Sequence, residues 1–377
     1  MKRLRPLLYF LASLALILLL VYLRSPHEPG VSEEPHPEAG VVHGGEGDFL
    51  RFTDEVMATT VRVTVPRAEA GAGAPIPPGD AAKTVFRIFR EVDRTMSEWK
   101  EGSPLAEVNR RAGGEAVPVP RELLEVVRRG LEIGELTGGA FDVTWAALWD
   151  LWEFPSTRSP GRARVPPAGE IERRAALVDF RRVELDPEAG TLRLPEAGMQ
   201  IGLGGIAKGY ALERSAEALR RRGLESFLLV VGGQVYAAGT RDGAPWRVGV
   251  RDPRGGPDET IVTLRAVDVS VSTSGDYERY FLLDGVRYHH ILDPRTGRPA
   301  RGLRSATVVA ADPVLADGLS TGVFVLGPEE GLALAEQLED VEAFLVDAGG
   351  EVLTTSGLEV PTPSGLEVPT PSGLEVR

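Results

Sequence analysis

The 377-residue chain contains no cysteine. That absence excludes disulfides, thiolate zinc sites, iron–sulfur clusters, cysteine nucleophiles and a lipoprotein anchor through cysteine. Any metal must be held mainly by oxygen, which favours magnesium or calcium. Lysine is scarce too: Lys2, Lys83, Lys100 and Lys208 are the only four among 42 basic residues. Of five histidines, His27, His36 and His43 lie in a Pro/Glu/Gly-rich leader. A surplus of positive charge is also missing. The net charge of −13 argues against a nucleic-acid binder, since contacts along a phosphate polymer need a basic surface. A small anionic ligand stays open, because local dipoles bind such groups inside acidic proteins.

What is present starts with a hydrophobic content of 42%, enough for a core and against wholesale disorder. Lys2, Arg3 and Arg5 precede an uncharged, mostly apolar run at residues 7–23, and Arg24 follows it. As a helix this run would span about 25 Å, the short edge of the membrane-spanning range. No A-x-A cleavage site follows, so residues 1–24 read as an uncleaved signal anchor. The positive flank then stays cytoplasmic and the globular part lies outside, at the bacterial inner membrane facing the periplasm. Residues 25–48 read as a linker and 49–356 as one globular domain. SGLEV recurs at Ser356, Ser364 and Ser372 with PTP spacers, so 357–377 reads as a low-complexity tail, too short for a solenoid.

Alternation and β-rich runs predict strands at 59–65, 191–194, 227–231, 247–250, 261–271 and 279–283. Apolar periodicity predicts helices at 81–96, 120–136, 207–222 and 313–326, with loops at 68–78 and 154–168. Strands and helices are interspersed without strict βαβ alternation, so the fold class is α+β.

Four segments carry candidate chemistry. QIGLGGIAKGYALE (200–213) runs through glycines into a helix, as a backbone does when it approaches a phosphate. Gly202, Gly204 and Ala207 satisfy a loose dinucleotide fingerprint, a weak signal that a ligand-free turn explains equally well. A Walker A reading fails because Gly209 follows Lys208 where Ser or Thr is required. In ADPVLADGLST (311–321), Asp312 and Pro313 make a helix start, and Asp317 and Thr321 share a face. Gly318 and Gly322 leave room nearby for a hard cation, although a solvated helix face is the simpler reading. In TGGAFDVTWAALWDLW (137–152), Asp142 caps a helix or meets a ligand ring, and Trp145, Trp149 and Trp152 read as core. VSTSGDYERY (271–280) reads as a polar turn whose hydroxyls and N–H groups can meet an anion. It leads to YHHILDPRTGRP (288–299), which holds His289 and His290, the two histidines outside the leader. A serine hydrolase lacks its G-x-S-x-G elbow here.

In order along the chain, VMATTVRV (56–63), MSEWKEGSPLAEVN (96–109), GGAFDVT (138–144), GLGGIAKGYA (202–211), LLVVGGQV (228–235), STSGDY (272–277), HHILDPRTGRP (289–299) and ADGLSTGVFVLG (316–327) resemble the ApbE-type FAD:protein FMN transferases. The likeness covers roughly residues 50–356 in the family's order, far more specific than any single block. It implies a single α+β domain binding FAD and magnesium, which transfers FMN to a Thr or Ser hydroxyl of a partner protein and releases AMP. The implied partner is a subunit of a membrane redox complex. By the same resemblance Met57, Trp99, Ala140, Phe141, Asp142, Gly202, Lys208, His290 and Ile291 match positions around the flavin nucleotide. Lys208 and His290 fall near its diphosphate. Asp317, Thr321 and the carbonyl of Gly205 match a magnesium site. His290, Lys208 and Asp317 are then the catalytic candidates, with His290 as base and Asp317 its rival. The family commonly has Asp where Gly202 stands, Asp at Glu213 and Tyr at Trp99. An FAD pyrophosphatase, a tethered FAD carrier without turnover and a Rossmann-type NAD(P) enzyme are the alternatives.

Overall fold

The computed structural model describes residues 48–67, 75–154 and 164–358. The expected anchor, residues 25–47 of the expected linker and residues 359–377 of the expected tail fall outside them, as do parts of the two expected loops. Among the described residues no helix is long and apolar enough to cross a membrane.

One antiparallel sheet organises the domain. Its strands are β1 (Phe49–Val56), β2 (Thr59–Pro66), β3 (Phe227–Val231), β4 (Gln234–Ala238), β5 (Val269–Gly275), β6 (Leu303–Ala310), β7 (Val341–Asp347) and β8 (Val352–Thr354). They lie side by side in chain order and every neighbouring pair is antiparallel. The Rossmann alternative needs parallel βαβ units and has no place here. Everything else is inserted between neighbouring strands. FLLVV in β3 is buried throughout because both sheet faces are covered. Val61, Val63, Leu229 and Val231 face the helices. Leu228, Val230, Val235 and Ala237 face a hairpin of strands Trp246–Arg251 and Thr260–Ala266.

The helices are α1 (Pro78–Met96), α2 (Pro104–Arg110), α3 (Arg121–Leu136), α4 (Ala168–Ala175), α5 (Ala207–Arg220), α6 (Pro313–Leu326) and α7 (Pro328–Gln337). α6 has the expected bounds, and Asp312 caps it by accepting from the N–H groups of Val314 (2.8 Å) and Leu315 (3.1 Å). Arg129 of α3 bridges that cap to Glu213 of α5, which ties three helices together.

Two expectations are corrected. Residues 261–271 are not one strand: Thr260–Ala266 belongs to the outer hairpin, and Asp268 at φ 55° starts β5 afresh. Ser272, Thr273, Ser274 and Gly275 form strand β5 rather than a turn. Their hydroxyls are satisfied across the strand and helix packing, so a polar run can still sit in a sheet.

Candidate active site

α5 and α6 cross in very close contact. A Cβ on Gly209 would lie 2.3 Å from the Pro313 carbonyl oxygen and 2.9 Å from Cβ of Asp317. Glycine there lets the first turn of α5 approach the face of α6 that carries Asp317. The Asp317 carboxylate is 4% exposed. Its Oδ2 accepts the Gly209 N–H at 2.9 Å, and Oδ1 lies 3.4 Å from Lys208 Nζ. Lys208 also donates to the Gly204 carbonyl at 2.7 Å. One turn on, Thr321 Oγ1 lies 3.3 Å from Ser274 Oγ, which is 2.9 Å from Ser320 Oγ. Gly205 brings its backbone to the same hydroxyl, since a Cβ there would stand 3.6 Å from Thr321 Oγ1.

These groups fit a hard cation. A carboxylate, a hydroxyl and a backbone carbonyl are the oxygen donors that magnesium takes, with waters and ligand phosphates completing its shell. The Lys208 ammonium already rests between Asp317 Oδ1 and the Gly204 carbonyl, a place that stabilises positive charge. Among the described residues no three His, Cys, Asp or Glu side chains cluster as ligands, so any such site is a mixed one. The room expected beside Gly318 and Gly322 is taken by Ile133 and Thr137, which would meet added Cβ atoms at 2.5 Å.

The two histidines differ. His289 is buried, its Nε2 is 2.9 Å from the Ala300 carbonyl, and its ring stands edge-on to Phe324. Burial pushes its pKa down to about 4. His290 is half-buried, and its backbone N–H donates to the Arg279 carbonyl at 3.0 Å. Burial, then the charge of Arg279, with smaller effects from His289 and Lys208, pushes its pKa down to about 3. The imidazole is neutral at neutral pH and able to accept a proton. It makes no hydrogen bond to Asp317 or Thr321.

Asp142 is engaged by its own chain. Oδ1 accepts from the Thr144 N–H (2.7 Å) and hydroxyl (2.6 Å), and Oδ2 accepts from the Phe180 N–H (2.9 Å). Burial still raises its pKa. Ala140 and Phe141 are buried, and the Phe141 ring packs against Gly205. Ile291 is buried in the core, and its carbonyl accepts from the Ala300 N–H.

An aromatic wall forms the other part of the cluster. Trp99 is 60% exposed. Its ring centroid lies 5.3 Å from that of Trp149, which lies 5.3 Å from that of Trp145. Only Trp152 of the expected core trio is fully buried; Trp145 and Trp149 are half-buried on either side of the start of a 3₁₀ turn, Ala146–Leu151. Trp145 Nε1 donates to the Gly202 carbonyl at 3.0 Å. A Cβ on Gly202 would sit 3.0 Å from that nitrogen and from Ala146 Cβ, so the indole fills the space an Asp side chain would need. Met57 and Ala58 form the β1–β2 turn at φ 54° and 59°, a left-handed pair normally built from Asn-Gly. Such strain in non-glycine residues concentrates at functional sites.

Sequence reasoning missed two groups. Glu98, beside Trp99, has its carboxyl pKa raised by burial and lies within the field of Lys208. Arg279 stands 5.7 Å from the Trp149 ring centroid. Neither residue belongs to a spacing pattern that would mark it.

A buried carboxylate paired with a lysine, and a wall of indoles in tilted and edge-to-face contact, are groups that suit a ligand both anionic and aromatic. The chain belongs to the ApbE family, whose model matches residues 57–345. It is 35% identical over 310 residues to a protein of Treponema pallidum named FAD:protein FMN transferase, covering 77% of this chain and 82% of that protein. Its fold is similar to the crystal structure of the ApbE protein from Thermotoga maritima, with a TM-score of 0.72 and 34% identity over 81% of this chain and 97% of that one. The flavin transferase ApbE from Vibrio cholerae superposes with a TM-score of 0.71 at 28% identity, over 82% of this chain and 97% of that one.

Proposed function

We propose that the protein is an FAD:protein FMN transferase that moves FMN from FAD onto a Thr or Ser hydroxyl of a partner protein and releases AMP. The observation that carries this reading is the convergence of Lys208, Asp317 and Thr321 at the α5–α6 crossing, in a chain matched by the ApbE family over residues 57–345.

The acceptor oxygen forms a bond to the FMN-side phosphorus, and the bond from that phosphorus to the bridging oxygen breaks. The bridging oxygen leaves with AMP. Asp317, Thr321 and the Gly205 carbonyl would hold Mg²⁺, which when bound supplies positive charge to the phosphoryl oxygens. Lys208 adds a fixed cation, held by Asp317 and the Gly204 carbonyl until phosphate arrives. His290 takes the hydroxyl proton on a ring nitrogen. Its resting pKa of about 3 makes it a weak base, but a dianionic diphosphate alongside raises that value toward the working range. Trp99 offers a stacking surface to the flavin, and Met57, in its left-handed turn, is a further flavin contact. Residues 7–23 anchor the protein so that the domain faces the periplasm, where a membrane redox subunit is the acceptor.

Incubation with FAD, Mg²⁺ and a candidate acceptor tests the reading. Flavin fluorescence that stays on the acceptor after denaturation is the expected result. Free FMN with AMP and an unlabelled acceptor would instead identify a pyrophosphatase, and intact copurifying FAD without turnover a carrier.

A further inference from the structure

Arg279 stands apart from the other arginines of its neighbourhood. Arg254 makes a two-pronged bond to Asp276 at 2.7 and 2.6 Å, Arg287 also faces Asp276, and Arg295 pairs with Asp293. Among the described residues no carboxylate lies within ion-pair distance of Arg279, in a chain with 55 acidic side chains. Its guanidinium instead lies over the Trp149 ring, 5.7 Å from the centroid. Its backbone is pinned as well, because its carbonyl accepts the His290 N–H at 3.0 Å. A cation without a carboxylate partner thus lies over the aromatic wall, on a backbone tied to that of His290.

The charge of Arg279 also reaches the His290 ring. Arg279 contributes most, after burial, to keeping the proton off His290, and Lys208 acts in the same direction. Arg279 and Lys208 thus direct positive charge at one neutral, desolvated ring, an arrangement complementary to an anion. A guanidinium suits this because its rigid fork meets two phosphoryl oxygens at once, whereas Lys208 acts as a point charge. A cation–π contact with an indole orients the fork without using its donors.

Resting on the dinucleotide reading above, we infer that Arg279, held over Trp149, binds the diphosphate of the flavin dinucleotide together with Lys208. The residue is exposed at the surface of the site, so its replacement leaves the core untouched. The test is equilibrium binding of FAD and of riboflavin, which lacks the phosphates, followed by flavin fluorescence in Mg²⁺-free buffer. Arg279→Gln weakens FAD binding by about tenfold or more and leaves riboflavin unchanged. Arg279→Lys falls between, since it keeps the charge and loses the fork. Trp149→Ala, which removes the platform, reproduces part of the FAD-specific loss, and Trp149→Phe restores it. Equal FAD affinity in wild type and Arg279→Gln overturns the inference, as does an equal loss for both ligands, which would mark a merely structural role. Failure of the dinucleotide reading looks different: the wild-type protein itself would not bind FAD.

Discussion

Two buried aspartates show how one residue type serves two ends. Asp142 and Asp317 are 5% and 4% exposed, and both stand among the family-matched positions. The oxygens of Asp142 accept from two backbone N–H groups and the Thr144 hydroxyl, all uncharged. Asp317 gives one oxygen to the backbone of α5 and turns the other toward an ammonium. The first arrangement fixes the 142–144 turn against residue 180. The second leaves an oxygen and a cation that a ligand or metal can redistribute. Under the proposed function, the fully engaged carboxylate serves the fold and the singly tethered one stays available for chemistry.

The comparison can be broken by substitution. Lys208→Ala should lower transfer by about 10²–10³-fold, the usual cost of removing one transition-state charge donor, with little change in melting temperature. Asp142→Asn should do the reverse. An amide in a pocket of donors leaves about 1–3 kcal/mol of unmet hydrogen bonding, seen as a fall in melting temperature of several degrees, with activity per folded molecule retained. If Asp142→Asn abolished transfer at unchanged stability, the division between the two aspartates would fail.

On the aromatic side, Trp99→Ala should weaken FAD binding by about 0.5–1.5 kcal/mol, the worth of one ring pair, measurable by fluorescence titration. The histidines sharpen the contrast through pH. His289 has a folded pKa of about 4 against 6.5 unfolded, so below pH 6.5 the unfolded chain binds a proton that the fold refuses. Its contribution is fully present above pH 6.5 and is lost as pH falls toward 4, with a slope approaching about one proton. Melting temperature against pH, with His289→Gln as the flattened control, measures it. His290 should show no titration near 6.5 in the free protein, and FAD binding should raise its pKa in an NMR titration.

How much of this was legible depended on whether the signal was local. Helix α6 could be placed to the residue because Asp312-Pro313 starts it and Gly327 ends it. The tether between Asp317 and Gly209 links residues 108 positions apart and has no local sign beyond the glycine itself. The Met57–Ala58 turn was hidden because its left-handed backbone uses neither Gly nor Asn. The break at Asp268 was hidden for the same reason. Ser272, Ser274 and Ser320 read as turn and helix surface because their mutual hydrogen bonds form only when β5 meets α6. The α+β class followed from the interspersed periodicities, whereas the strictly sequential antiparallel order of the sheet did not.

The most direct test of the central claim is Mg²⁺-dependent FMN transfer by Asp317→Asn, assayed with wild type and with melting temperature as a control. The amide keeps an oxygen for the Gly209 N–H, so the fold should persist while transfer falls by about 10²–10³-fold. Transfer at the wild-type rate and Mg²⁺ requirement in that variant would contradict the account.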